Sequence, residues 1–456
     1  MNAMFRSFAS FNYRVWFLGA LVSNIGSWMQ STAQSWVVLT YLTDNDAGAM
    51  GLTMALQFAP PLLLVGVTGW VVDRFDRRLL LIVTQLLLGV LSVATAVLLL
   101  SGLMTLGMMY AFAFAMGIVA AFDNPARQTF VTDIVRHELA SNAVALNSAS
   151  FNSARMLGPA VAGVLIVAIG SGWVFLLNAA TYLAMITALL LMRTHELQPR
   201  AEQKNRSRLS DGFRYVRTRP DLIVIFVMIF LMGALAMNFP IYASTMALEF
   251  GREADGFGLL SSIIAIGSLA GALMAARRDR ARMRVVIAAT GGFAAIALLS
   301  SLMPTYWLYA IVIVGIGFAT VTMLTTANGY VQTTTPPAVR GRVMAIYMAI
   351  LMGGTPVGAP IVGWIAAEWG PRAAINTGAL GGLISCLIGL TWLIASGRMH
   401  RHEHRRLGFS IDETVSIPVI PKPGPGPEEF SEEIASTTPI SIADDDPDAE
   451  PAPRRA

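Results

Sequence analysis

Apolar residues in this chain do not alternate with polar ones. They run together for about twenty positions at a time, separated by short polar stretches. The pattern predicts twelve runs, at 14–42, 50–72, 79–101, 104–122, 142–168, 172–193, 221–248, 256–276, 284–303, 305–328, 342–367 and 372–396. Each is long enough to cross a hydrocarbon layer of about 30 Å as a helix. The runs are too long for barrel strands and lack the required alternation, so an all-α membrane protein with twelve transmembrane helices is expected. The first run is too long and too polar for the apolar region of a cleaved signal, about 7–15 residues, and is read as a retained span.

The polar stretches fall into two alternating sets. One holds "DRFDRR", "RQTFVTDIVRHE", the long basic segment 194–220, "RRDRARMR", "RGR" and "RMHRHEHRR". The other holds "TDNDAGAM", "SGLMTL", "GSG", "EFGREADG", "MPT" and "EWGPR", whose basic residues are Arg252 and Arg372 alone. The positive-inside rule places the first set, and both termini, in the cytoplasm, with the protein in the cell membrane.

The chain also repeats. "LGPAVAGVLIVAIG" ends at Gly170 and "VGAPIVGWIAAEWG" at Gly370, with Gly158, Gly163 and Gly170 matching Gly358, Gly363 and Gly370. Arg77 and Arg78 likewise match Arg277 and Arg278. This predicts two six-helix halves, 1–193 and 221–396, joined by a cytoplasmic loop, 194–220. Halves of like orientation suit a transporter with its site between them. Residues 397–456, rich in proline and acid, are read as a disordered cytoplasmic tail.

Composition supports this class. Of 456 residues, 55% are hydrophobic and 13% charged, against about 25% charged in soluble proteins. The mean hydropathy is +0.60. The net charge of +4 is no nucleic-acid signal, because the basic residues flank the apolar runs. The "RMHRHEHRR" cluster serves topology and is placed to touch anionic lipid. Its histidines alternate with arginine, and Cys386 is the single cysteine, so no metal site or other cofactor is expected. A primary pump would need a Gly-x-x-x-x-Gly-Lys-Ser/Thr loop, and neither Lys204 nor Lys422 lies in one. No His-Glu-x-x-His or Gly-x-Ser-x-Gly occurs, so an enzyme is not expected.

"GWVVDRFDRR" resembles the loop signature of the major facilitator superfamily, Gly-x-x-x-Asp-Arg-x-Gly-Arg-Arg, with Gly69, Asp73, Arg74, Arg77 and Arg78 in place and Asp76 where the family has glycine. "AFDNPARQTFVTDIV", "NSASFNSARMLGPAVAGVLI" and "VRGRVMAIYMAI" resemble its small-molecule exporters, the branch containing enterobactin and macrolide efflux proteins. The resemblance implies the major facilitator fold, alternating access and proton-driven export by a monomer. It also implies that Asp73 caps span eleven and that Arg77 pairs with an acid at the end of span four, a place occupied by Asp123. "GPAVAG", with Gly158, Pro159 and Gly163, resembles the exporter signature of span five and permits close helix packing.

Polar residues within spans are costly and face a cavity or a partner. On span one Ser23, Ser27, Gln30 and Gln34 form a stripe flanked by Asn24, and on span five Asn152 and Arg155 share a face. These residues, with Asn238 and Tyr242 of span seven, are the candidate substrate cavity. Arg155 either bonds Asn24 and Gln30 or meets an anionic substrate group. No acid is expected in mid-span, which leaves Asp123, at a span end, as the best proton carrier. An importer of the same fold and a non-transporting sensor are the alternatives.

Overall fold

The computed structural model describes residues 3–198, 209–278, 280–396, 399–401 and 409–411. A 3-10 turn, Ala3–Ala9, leads into α1, Phe11–Trp36, which a π turn, Val37–Tyr41, extends. The rest of the first half is α2 (Ala47–Leu63), α3 (Val65–Arg74), α4 (Arg77–Leu100), α5 (Leu106–Asp133), α6 (Ala140–Ile169) and α7 (Ser171–Leu191). A short surface helix, α8 (Leu209–Arg217), precedes α9 (Pro220–Leu231), a π turn at Met232–Ala236 and α10 (Phe239–Glu249). Then come α11 (Ala254–Ala276), α12 (Met283–Ser301), α13 (Tyr306–Thr334), α14 (Pro337–Trp369) and α15 (Pro371–Ala395). The segments β1, Met399–Arg401, and β2, Phe409–Ile411, pair antiparallel. The other tail residues, the basic histidine cluster's centre and 199–208 lie outside the described residues.

With α2 and α3 as one span bent by 57° and α9–α10 as another, the architecture has the twelve expected crossings. Eleven of them are recognisable by length and apolarity alone. The other, α1, is too polar for that test, because it turns Ser23, Gln30 and Gln34 inward, each at most 5% exposed. Its neighbours, not lipid, meet those groups.

The repeat is visible in local geometry. Thr105 caps α5 and Thr305 caps α13, each accepting from the amide three residues on. Gly170 and Gly370 end α6 and α14 with φ of 87° and 85°, a left-handed turn that favours glycine. Gly158 lies against Trp28 of α1, and Gly358 against the Ala234 carbonyl in the π turn of span seven.

The two halves meet at the end opposite the arginine-rich loops. There Gly163 packs on Ala254 and Gly258 of α11, and Gly363 on Ala47 and Gly48 of α2. Trp36 stacks on Phe257, with ring centroids 6.1 Å apart, and nearer the middle of α6 the Ser262 hydroxyl donates to the Met156 carbonyl. Toward the basic end this contact lapses. Gly66 and Gly69 have no neighbour within 4 Å of a built Cβ, and Phe151 and Asn152 of α6 are exposed. Exposed Trp173, Trp307, Trp364 and Trp369 mark the opposite end as an aromatic belt.

Candidate transport site and its charge network

The signature loop acts within its own half. Asp76 caps α4, its carboxylate accepting from the Leu79 amide at 2.9 Å. Its φ of −62° is extended backbone, so glycine is not required, and an aspartate there supplies an N-cap. Arg77 donates to both oxygens of Asp133, at 2.8 and 3.0 Å. This corrects the expected Arg77–Asp123 pair: α5 continues to Asp133, ten residues or about 15 Å beyond Asp123. Arg78 donates to the carbonyls of Leu189 and Leu190 at the end of α7. Asp73 is 69% exposed and 3.9 Å from Arg77, and Arg74 lies over Trp70. The N-cap of α14 is Pro336.

Asp123 is therefore in the interior of a span, correcting the expectation that no acid would be. It is 4% exposed. Thr84 and Gln85 of α4 donate to its Oδ1 at 2.7 Å each, and Arg127 Nε donates to its Oδ2 at 2.7 Å. Arg127 also donates to Ser23 Oγ at 3.0 Å and Asn24 Oδ1 at 3.3 Å. One acid and one base thus bind α1, α4 and α5 together. A charge in hydrocarbon needs this kind of compensation. Arg127, Thr84, Gln85 and Asp133 are the residues that sequence reasoning missed. The signal for Arg127 was its i, i+4 spacing from Asp123 in "DNPAR".

The other polar positions divide. Gln30 lies inside the first half, where its Oε1 accepts from Ser92 at 2.6 Å and from Asn178. The Gln34 amide donates to Gln57 of α2 at 3.1 Å. Asn238 is fully buried where span seven breaks, donating to the Ala234 carbonyl at 2.6 Å, and the Tyr242 hydroxyl donates to Leu235 O. Gln30, Asn238 and Tyr242 are packed within their own halves. Asn152 is exposed and donates to Ser148 O.

Arg155 is different. It is half-buried in α6, fifteen residues or about 22 Å from the start of that helix. It makes no hydrogen bond or ion pair to the described residues, so the expected bonds to Asn24 and Gln30 are absent. It is the chain neighbour of Met156, whose carbonyl accepts from Ser262 of the other half.

At the basic end of the second half, Arg219 donates to Asp221 at 2.6 and 2.9 Å and to Thr334 O at 3.2 Å. The Tyr330 hydroxyl donates to Asp221 at 2.9 Å. Hydrogen bonding to Asp221, which outweighs burial, holds the Arg219 guanidinium above its ordinary range. This cluster joins α9 to α13. Among the described residues no group of His, Cys, Asp and Glu could hold a metal.

Comparison with known proteins agrees with this architecture. Residues 3–419 match the family of transmembrane secretion effectors. The enterobactin exporter of Citrobacter koseri is 22% identical over 85% of this chain and 92% of its own. That of Shigella flexneri is 24% identical over 85% and 92%. The staphyloferrin A transporter of Staphylococcus aureus is 23% identical over 78% and 90%. Among solved structures, a nucleoside transporter superposes with a TM-score of 0.66 at 12% identity, covering 84% of this chain and 98% of its own. A D-xylose–proton symporter does so at 0.65 and 14%, covering 82% and 96%. With twelve crossings, a two-fold repeat and a family match over nearly its whole length, the chain belongs to the major facilitator superfamily, within the family of transmembrane secretion effectors.

Proposed function

We propose that this transporter exports small amphipathic molecules bearing an anionic group, siderophore-like in kind, in exchange for protons. The observation that carries the reading is Arg155, a half-buried arginine near the middle of α6 with no hydrogen bond or ion pair to the described residues, and we assign its guanidinium to the space between the halves. A cation so placed costs at least about 2.5 kcal/mol by insertion scales. A carboxylate or catecholate on the cargo supplies the missing counter-charge, and the guanidinium fork suits such oxygens. Relatives that carry enterobactin and staphyloferrin A support both the direction and the substrate class.

Asp123 is the group assigned to the proton. Protonation cancels its attraction for Arg127, which keeps Ser23 and Asn24 as acceptors, so α1, α4 and α5 are released from one charged tie at a time. The arginine-rich end is assigned to the cytoplasm. On that orientation the halves are closed outside and parted inside, a state that receives cargo from the cytoplasm.

The test is flux in everted vesicles with a panel of catecholate, hydroxycarboxylate and cationic compounds, with and without a proton uncoupler. Arg155→Gln should cut export of the anionic compounds at least tenfold and of cations little, with Arg155→Lys intermediate. Equal loss for every compound, together with lower thermal stability, would make Arg155 structural. Net flux in the opposite direction would make the protein an importer.

A further inference from the structure

Two matching helices, α6 and α14, expose opposite chemistry at matching places. On α6, Ser148 and Asn152 are exposed, and Arg155 continues their face, seven and three residues on. The repeat puts Met348, Met352 and Thr355 at those places on α14. Met348 is 46% exposed and Met352 48%. Met344, one turn earlier, is half-buried. The three methionines share a face at i, i+4 and i+8 and form a row about 12 Å long at 1.5 Å per residue.

The row looks away from lipid. The lipid side of α14 is marked where the halves are closed, by exposed Val357, Ile361 and Trp364. At about 100° per residue these stand roughly 120–180° around the helix from Met348 and Met352. The first half repeats the arrangement. Leu157, Val161 and Val164 are the exposed apolar face of α6, and Ser148 and Asn152 stand opposite them. An exposed row of polar groups is costly in hydrocarbon, so the Ser148–Asn152 face borders the space between the halves. The matching face of α14 borders the same space from the other side. Gly353, next to Met352, agrees: a Cβ built on it would meet Leu62 of the first half at 3.2 Å.

We infer that Met344, Met348 and Met352 are the specificity wall for the aromatic body of the cargo. This rests on the transport reading above and deepens it. Thioethers on unbranched side chains adapt to irregular shapes and make favourable contacts with ring edges. Ser148, Asn152 and Arg155 take the polar, anionic end from the facing helix. An anion with an aromatic body is then held by both halves, and an anion without one by the first half alone. The wall therefore sets a preference among compounds of equal charge, which Arg155 does not.

The experiment uses the full chain in proteoliposomes, with naphthalene dicarboxylate and succinate as probes of equal charge. In a Cys386→Ser background, Met348→Cys and Met352→Cys should react with a charged methanethiosulfonate at least tenfold faster than Leu383→Cys, on the exposed apolar face of α15. Naphthalene dicarboxylate should slow that reaction several-fold and succinate little. Reaction as slow as at Leu383→Cys, or no protection by either compound, would overturn the inference. Met348→Ser and Met352→Asn give α14 the residues of α6. Each should raise KM for naphthalene dicarboxylate several-fold, leave that for succinate within twofold, and keep the wild-type melting temperature. Met348→Leu and Met352→Leu should retain most of the preference. An equal rise in KM for both compounds would overturn the inference. Net import of both would overturn the export reading alone, because the ratio of the two KM values does not depend on the direction of flux.

Discussion

Replacing Asp123 by asparagine leaves the Arg127 guanidinium buried beside Ser23 and Asn24 with no counter-charge. The side chains of Asp123 and Arg127 are 6% and 14% exposed, so solvent screens the pair little. Removing one partner of a buried pair costs about 3–5 kcal/mol, whereas replacing both by neutral groups is often close to neutral. For a unit of about 150–250 residues each kcal/mol moves the melting temperature by roughly 2–4 °C. Asp123→Asn and Arg127→Gln should therefore each lower it by roughly 10 °C, and the double variant should regain more than half of that loss. Tryptophan fluorescence of the purified protein in detergent during heating reads the stability. Proton-driven exchange in proteoliposomes reads the coupling. The double variant separates the two roles: stable again, it should still fail to respond to a proton gradient. Losses that simply add in the double variant would refute the charge-pair account of stability. A normal proton response from that variant would refute the assignment of Asp123.

Arg77→Ala and Asp133→Asn should give one shared phenotype, because each breaks the same staple, and exchanging the two residues should restore part of the export that either single change loses. Asp123 variants should not respond to that exchange. Asp76→Ala should cost about 1 kcal/mol of stability through the lost cap on α4, and Asp76→Gly only a few tenths; a larger loss with glycine than with alanine would show that the cap is not what Asp76 provides.

The spans, their repeat and the family were legible because the apolar runs are long and the glycines recur at a fixed offset. The interior charges were misread for one reason. The fourth run ends, by apolarity, near Asp123, yet α5 continues through "DNPARQTFVTD" to Asp133. A helix packed against neighbours carries polar residues on its inner face without ending, so apolarity locates the lipid-facing stretch and not the helix. That error moved Asp123 to a span end and made it appear to be Arg77's partner. The same effect runs the other way in α1. Its polar stripe is plain in sequence, but sequence does not say whether a stripe faces a cavity or a neighbouring helix. Gln30 proves to meet Ser92 and Asn178. Asn238 and Tyr242 donate to the backbone of their own span where it breaks, and nothing local in "MNFPIY" reveals that fold-back.

The two halves share their packing devices but not their charges. Thr105 and Thr305, Gly158 and Gly358, Gly163 and Gly363, and Gly170 and Gly370 do matching work at matching places. At the places that match Asp123 and Arg127, α13 carries Met323 and Ala327, both fully buried. The place that matches Arg155 holds Thr355. A helix of this kind thus packs well with apolar residues at those positions, and a buried ion pair offers no advantage over such packing in stability alone. The fold needs its glycines twice and the charges not at all. Selection for stability would have replaced the pair and Arg155 in the first half as readily as it fills the same positions in the second. Their presence in one half alone is what the proposed function requires: on that proposal one half would hold the proton and the cargo's charge, and the other would supply a largely apolar wall.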